Sequence, residues 1–369
     1  MFIQDKKTKG SDMSKGPGKL GNPESTFETD ERADPRIAAA MVMAALAAEL
    51  EPAAEPPGSD ASYEDALAYC AQFEASAALS HEMEFEIMPA FSSVDSSEVL
   101  IKGNDGNDIF LFVDRPKDRD GDLPCIVHTH GGGMVLMSAR DPGFTRLRKT
   151  LAASGLVVIG VEFRNGGGLL GDYPFPAGLN DCASATRWAY ANRAKLGISN
   201  IVISGESGGG NLAIATTLKA KQEGWSDEIS GVFAMCPYIS GTYANPPESL
   251  LSLRENDGYM LDGPMMSSLV KVYDPTGDNA GNPLAWPLQA TPEDLVGLPP
   301  HIISVNELDP LRDEGLAFYR KLTAAGVSAV ARTVHGTPHA GDVSFPDVTP
   351  DIYGATVRAI TGFAISLRS

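Results

Sequence analysis

The chain has 369 residues, 43% of them apolar, and a formal charge of −19. That length can bury a substantial core in one large α/β domain or two average ones, and Lys and Arg that are neither in excess nor clustered argue against nucleic acid or an anionic membrane as a partner. No run of about 18 apolar residues occurs, so no membrane span is expected, and Cys70, Cys125, Cys182 and Cys236 lack the spacing of a zinc site or a disulfide framework and read as free thiols.

Residues 1–33, rich in Lys, Gly, Ser, Pro and Asp, read as a flexible N-terminal arm. The first 23 residues lack the apolar centre of a secretory signal, which leaves the cytoplasm as the default location. Residues 34–95 read as an N-terminal helical cap region. Pro35 suits a first helical turn, and Met41, Met43, Leu46 and Leu50 are expected to pack one face of that helix on the domain. A second helix is expected over residues 62–80, with Leu67, Cys70 and Phe73 on one side.

From residue 96 to the C-terminus the pattern is that of a catalytic domain. Two short strands around Gly103-Asn104-Asp105-Gly106 form a hairpin. Then apolar runs at 125–129, 157–161, 200–203, 231–235, 301–305 and 329–334 alternate with helical segments. Strands apolar at nearly every position are buried on both faces, so the alternation predicts a mostly parallel, eight-stranded sheet flanked by helices. The long Pro/Gly/Asn-rich stretch 237–300 exceeds a simple crossover and is expected to add helical material, near 264–273, to the cap.

Gly205-Glu206-Ser207-Gly208-Gly209 lies between the strand 200–203 and the helical run from Asn211, where a serine is held on a strained turn with its hydroxyl exposed. Ser207 is therefore the candidate nucleophile. In a chain with 38 glycines the pattern is weak alone, so it needs an oxyanion hole, a base and an acid. His130-Gly131-Gly132-Gly133, directly after a strand, can turn backbone N–H groups toward one point; it lacks the Lys-Ser/Thr of a P-loop and the Gly-x-Gly-x-x-Gly spacing, which disfavours a phosphate cradle. His130 reads as a support for this loop.

Asp309, just past the strand 301–305, can orient a histidine, with Glu307 and Asp313 as competitors. His339, in the loop after the last strand, is the candidate base; His335, nearer the strand end, is the alternative. The order Ser, Asp, His is that of an α/β-hydrolase. His81, His128 and His301 read as surface or structural residues.

His130-Gly131-Gly132-Gly133, Gly205-Glu206-Ser207-Gly208-Gly209 and Asp309-Pro310-Leu311-Arg312-Asp313 match the HGGG, GDSAGG and DPLRD motifs, and Phe175-Pro176-Ala177 with Asp181-Cys182 matches a further segment. On these residues the chain resembles the hormone-sensitive-lipase family of α/β-hydrolases, nearest its brefeldin A esterase-like branch. The resemblance covers the chain from about residue 98 onward. It implies a serine carboxylesterase acting on short- to medium-chain esters, oxyanion donors at Gly132, Gly133 and Gly208, a helical cap, no metal or cofactor, and subunits that could pair as homodimers. Glu206 stands where Asp is commoner and Gly208 where Ala is, both tolerable. Arg164-Asn165-Gly166-Gly167-Gly168 replaces an Arg-Leu-Ala-Pro-Glu segment and is expected to be a looser loop near the cap. An amidase or peptidase with the same triad, and a non-catalytic small-molecule receptor on the same scaffold, are the rival readings.

Overall fold

The structure is a computed structural model that describes residues 16–48, 55–58 and 61–367. Its centre is an eight-stranded sheet of order β1-β2-β4-β3-β5-β6-β7-β8. The strands are β1 Val94–Lys102, β2 Asp108–Pro116, β3 Leu123–Thr129, β4 Val157–Glu162, β5 Ile198–Glu206, β6 Gly231–Met235, β7 His301–Asn306 and β8 Ala329–Val334. β2 runs antiparallel to β1 and β4, and every other pairing is parallel. β3 and β6 are buried at every position, as strands covered on both faces must be.

The eight longer helices are α1 Pro35–Ala48, α2 Tyr63–Ile87, α3 Pro142–Ala153, α4 Ala177–Ala191, α5 Gly208–Glu223, α6 Gly263–Tyr273, α7 Arg312–Ala324 and α8 Pro350–Ser366. Five of them cover the sheet from two sides, among them α7, whose Phe318 and Leu322 pack with Ile303 and Val305 of β7. Leu212 and Ala215 of α5 and Leu179 and Cys182 of α4 join one core layer, while Leu147 and Leu151 of α3 join Val357 and Ile360 of α8 on the other. Parallel neighbours bring the carboxyl ends of β3, β5, β6, β7 and β8 to one edge, where an open α/β sheet forms its crevice. Above it, α2 packs on α6. Among the described residues no helix is long and apolar enough to cross a membrane.

Three expectations change. The arm is not free from Gly16 on: Phe27 is buried against Tyr259, and Arg32 bonds Asp30 and the buried Glu255. Burial of one aromatic and pairing of charges hold a segment whose composition lacks any apolar period; residues 1–15 lie outside the described residues. On α1, Ile37 is buried and Met41 packs beside it, but Met43 and Leu46 are exposed, so the buried stripe is narrower than the run of apolar residues; Leu50 lies outside the described residues. α2 continues to Ile87, seven residues past its expected end, because nothing in 81–87 breaks a helix once Ser62 and Asp65 have capped its start.

Candidate active site

Ser207 sits between β5 and α5 at φ 59°, ψ −121°. A serine adopts such backbone angles only where its surroundings impose them. They do so here through glycines: a Cβ on Gly205 or Gly209 would collide with the carbonyl oxygen of Thr129, so strand and helix approach β3 closely on either side of the turn. The Ser207 N–H donates to Met235 O at 2.9 Å, and Ser207 O accepts from Asn211 and Tyr238 N–H. The turn is thereby tied to both α5 and β6.

His339 Nδ1 lies 2.9 Å from Asp309 Oδ2, and both side chains are buried. The other Asp309 oxygen accepts the Leu311 N–H, and Asn256 Nδ2 donates to the Asp309 carbonyl. The two loops are stitched together: Leu308 N–H donates to Thr337 O, and the Asn306 amide donates to Thr337 Oγ1 and Asp342. Burial opposes charging His339, but Asp309 and Cys236 together outweigh it and hold the imidazole well above its ordinary pKa. Glu307 and Asp313, the competing acids, are engaged elsewhere. Glu307 accepts from Gly336 N–H and faces the exposed His335, while Asp313 accepts from Ser252 N–H and Arg312.

Gly132 and Gly133 have φ of 97° and 61°, a run of left-handed backbone that only glycine adopts readily. A Cβ on Gly208 would stand 2.6 Å from Gly133 N and 2.5 Å from Met134 N, so the start of α5 touches this loop directly. Glu206 secures it: Oε1 accepts the Gly131 N–H at 2.9 Å, and Oε2 lies 3.0 Å from His128 Nε2. His130 stacks on Phe163 with ring centroids 4.1 Å apart, and burial pushes its pKa down to about 3. Such a ring stays neutral and braces the loop, with its Nδ1 2.8 Å from Gly131 O.

One cavity of about 290 Å³ is lined by Ser207, His339, Gly132 and Gly133 together with Phe73 of α2 and Leu269 of α6. A serine hydroxyl, an acid-oriented imidazole and glycine N–H groups around one apolar space can perform acyl transfer. Cys236 lies beside the pair, with Sγ within 4.8 Å of the ligand atoms of Asp309 and His339. Burial pushes its thiol up, against the pull of the neighbouring His339.

The segment from Arg164 to Gly168 is not loose. Gly166 and Gly167 N–H donate to Met134 O and Val135 O, Asn165 donates to Met137 O, and Arg164 pairs with Asp181. Glu74 of α2 then clasps the layers, accepting from Met137 N–H and Leu169 N–H at 2.5 Å each. Neither Glu74 nor His128 stands out in the sequence as functional. The signal for His128 was its place in an otherwise apolar strand, since a buried imidazole needs a partner. Glu74 directly follows the apolar face of its helix and carries no comparable signal.

Residues 126–342 match the family described as alpha/beta hydrolase fold. The chain belongs to that family. This α/β-hydrolase is 34% identical over 275 residues to carboxylesterase NlhH of Mycobacterium tuberculosis, covering 72% of its own length and 82% of that protein. It is 34% identical over 219 residues to an arylesterase of Saccharolobus solfataricus, covering 58% of its own length and 67% of that protein. Brefeldin A esterase, described as a bacterial homologue of human hormone-sensitive lipase, superposes with a TM-score of 0.84 at 42% identity, over 96% of this α/β-hydrolase and 99% of that chain. The resemblance to the hormone-sensitive-lipase family is thereby borne out.

Proposed function

We propose that this α/β-hydrolase is a serine carboxylesterase with Ser207 as nucleophile, His339 as general base and Asp309 as the acid that orients it. The observation that carries the reading is the buried 2.9 Å contact between His339 Nδ1 and Asp309, made by an imidazole that lines the same cavity as a serine held at φ 59°. His339 takes the hydroxyl proton as Ser207 attacks the ester carbonyl, and Asp309 stabilises the imidazolium that forms. The N–H groups of Gly132, Gly133 and Gly208 receive the oxyanion. His339 then gives its proton to the departing alcohol and activates the water that releases the acid.

The cavity supports short- to medium-chain acyl groups. About 290 Å³ lies at the lower end of small-molecule pockets, which span about 300–1,000 Å³, and Phe73, Met265 and Leu269 make its cap side apolar. The reading extends to a small ester as the partner, to a cytoplasmic location, with which four free, buried cysteines agree, and to pairing of two copies, for which the edge strand β8 offers a partly exposed surface. A series of p-nitrophenyl esters of rising acyl length tests it. A pre-steady-state burst with acetate and butyrate and a steep fall beyond medium chains are expected; turnover that is highest on long-chain emulsions would defeat the chain-length assignment.

A further inference from the structure

His128 is the sixth of seven residues in β3, lies between β4 and β5 in the sheet, and is 1% exposed. An imidazole there costs free energy unless it is bonded, and one bond is present: Nε2 to Glu206 Oε2 at 3.0 Å. Nδ1 has no partner among the described residues, so in the neutral ring the proton sits on Nε2 and is donated to the carboxylate. The second Glu206 oxygen holds the Gly131 N–H, and Glu206 itself immediately precedes Ser207. A Cβ on Gly131 would lie 3.7 Å from the Ser207 Cβ, so the loop that Glu206 holds lies directly beside the serine.

We propose that His128 is a positioning residue for the oxyanion loop, acting through Glu206, an inference that rests on the ester-hydrolase reading. Glu206 has a longer side chain than the aspartate commoner at its position, and His128 locks that added freedom. With Oε2 fixed by the imidazole, Oε1 can face only the Gly131 amide. Gly131 then sets where the next two amides stand relative to Ser207. Without His128, a buried carboxylate oxygen lacks a partner, and Glu206 turns away from the loop to find one. The donors then drift from the oxyanion, and misplacement on the order of 1 Å can cost about 100-fold in rate.

The test compares His128→Phe and His128→Gln with wild type by steady-state hydrolysis of p-nitrophenyl butyrate. It adds inhibition by a trifluoromethyl ketone, whose serine adduct places an oxyanion on the same donors. His128→Phe should lower kcat about tenfold or more with KM changed less than about twofold, and should weaken the ketone by a similar factor. His128→Gln, which keeps a donor near Glu206, should recover part of both. In a Glu206→Ala background His128→Phe should add little further loss. If His128→Phe does not fold, His128→Asn, whose amide is too short to reach Glu206, carries the same comparison. Wild-type kcat and ketone affinity in the variant, or an equal loss in the Glu206→Ala background, would overturn the proposal. A wild-type protein inactive on every ester would overturn the ester-hydrolase reading and this proposal with it, whereas an active wild type matched by His128→Phe overturns this proposal alone.

Discussion

Gly208 stands against Gly133 so closely that a methyl group on the first would lie 2.6 Å from the amide nitrogen of the second. Alanine is common at this position in the hormone-sensitive-lipase family, so sequence comparison suggests a harmless exchange. Here the neighbours are backbone atoms, which cannot rotate aside. Gly208→Ala should push the oxyanion loop outward and lower kcat about tenfold or more, since loss of one such donor outright costs about 100- to 1,000-fold. KM should change little. Steady-state kinetics check this, and an Ala variant with wild-type kcat would show that the loop yields without cost.

The pH profile follows from His339. Its pKa is raised in the folded enzyme, where Asp309 and Cys236 together outweigh burial, and a general base must be neutral to accept a proton. Activity should therefore rise with pH through a value above the ordinary ~6.5 of histidine. Stability runs the other way: the contribution of the charged pair is full below the unfolded pKa and is lost as pH rises through the folded one. Asp309→Asn should move the activity limb down and cut kcat by about 10⁴-fold. Measured kcat/KM from pH 5 to 9 for both proteins tests the shift and its sign.

Glu74 ties α2 to the segments around Met137 and Leu169, one oxygen to each. Glu74→Gln replaces one acceptor by an N–H₂ facing another N–H. A single lost hydrogen bond of this charge-assisted kind is worth about 1–3 kcal/mol, and the lower end applies to a half-buried group. The expected outcome is an α2 that detaches more readily, seen as faster amide exchange in residues 63–87 and a raised KM with kcat nearly unchanged.

Arg32 joins the N-terminal segment to Glu255, which also pairs with Arg312 beside the Asp309 loop. Arg32→Met leaves Glu255 with Arg312, and leaves Asp30 with the backbone N–H of residue 32 and the Tyr259 hydroxyl. Because neither carboxylate is orphaned, the loss should be about 1–2 kcal/mol, below the 3–5 typical of breaking a buried pair completely. Urea unfolding of the variant checks the magnitude.

The sequence made the strand order of chemistry legible because each candidate residue lies at the end of an apolar run, and the parallel sheet brings those ends together. Ser207, Asp309 and His339 could be put forward for that reason, Asp309 ahead of Glu307 and Asp313 because it sits just past the strand end. What it left hidden are contacts between distant polar groups. Nothing local ties His128 to Glu206, 78 residues apart, or Arg32 to Glu255, 223 apart. The same holds for the glycine run after Arg164, whose composition suggests looseness while its N–H groups are bonded to the backbone at Met134 and Val135. Glycine content reports conformational freedom in the unfolded chain, and the fold decides whether that freedom survives.

The most direct test of the account is covalent labelling with a fluorophosphonate, read by intact mass and peptide mapping alongside ester turnover. One label per chain, on Ser207, with turnover abolished in step and both lost in Ser207→Ala, is the predicted result. Retained ester turnover in Ser207→Ala, or labelling that maps to Ser204 or elsewhere, would contradict it.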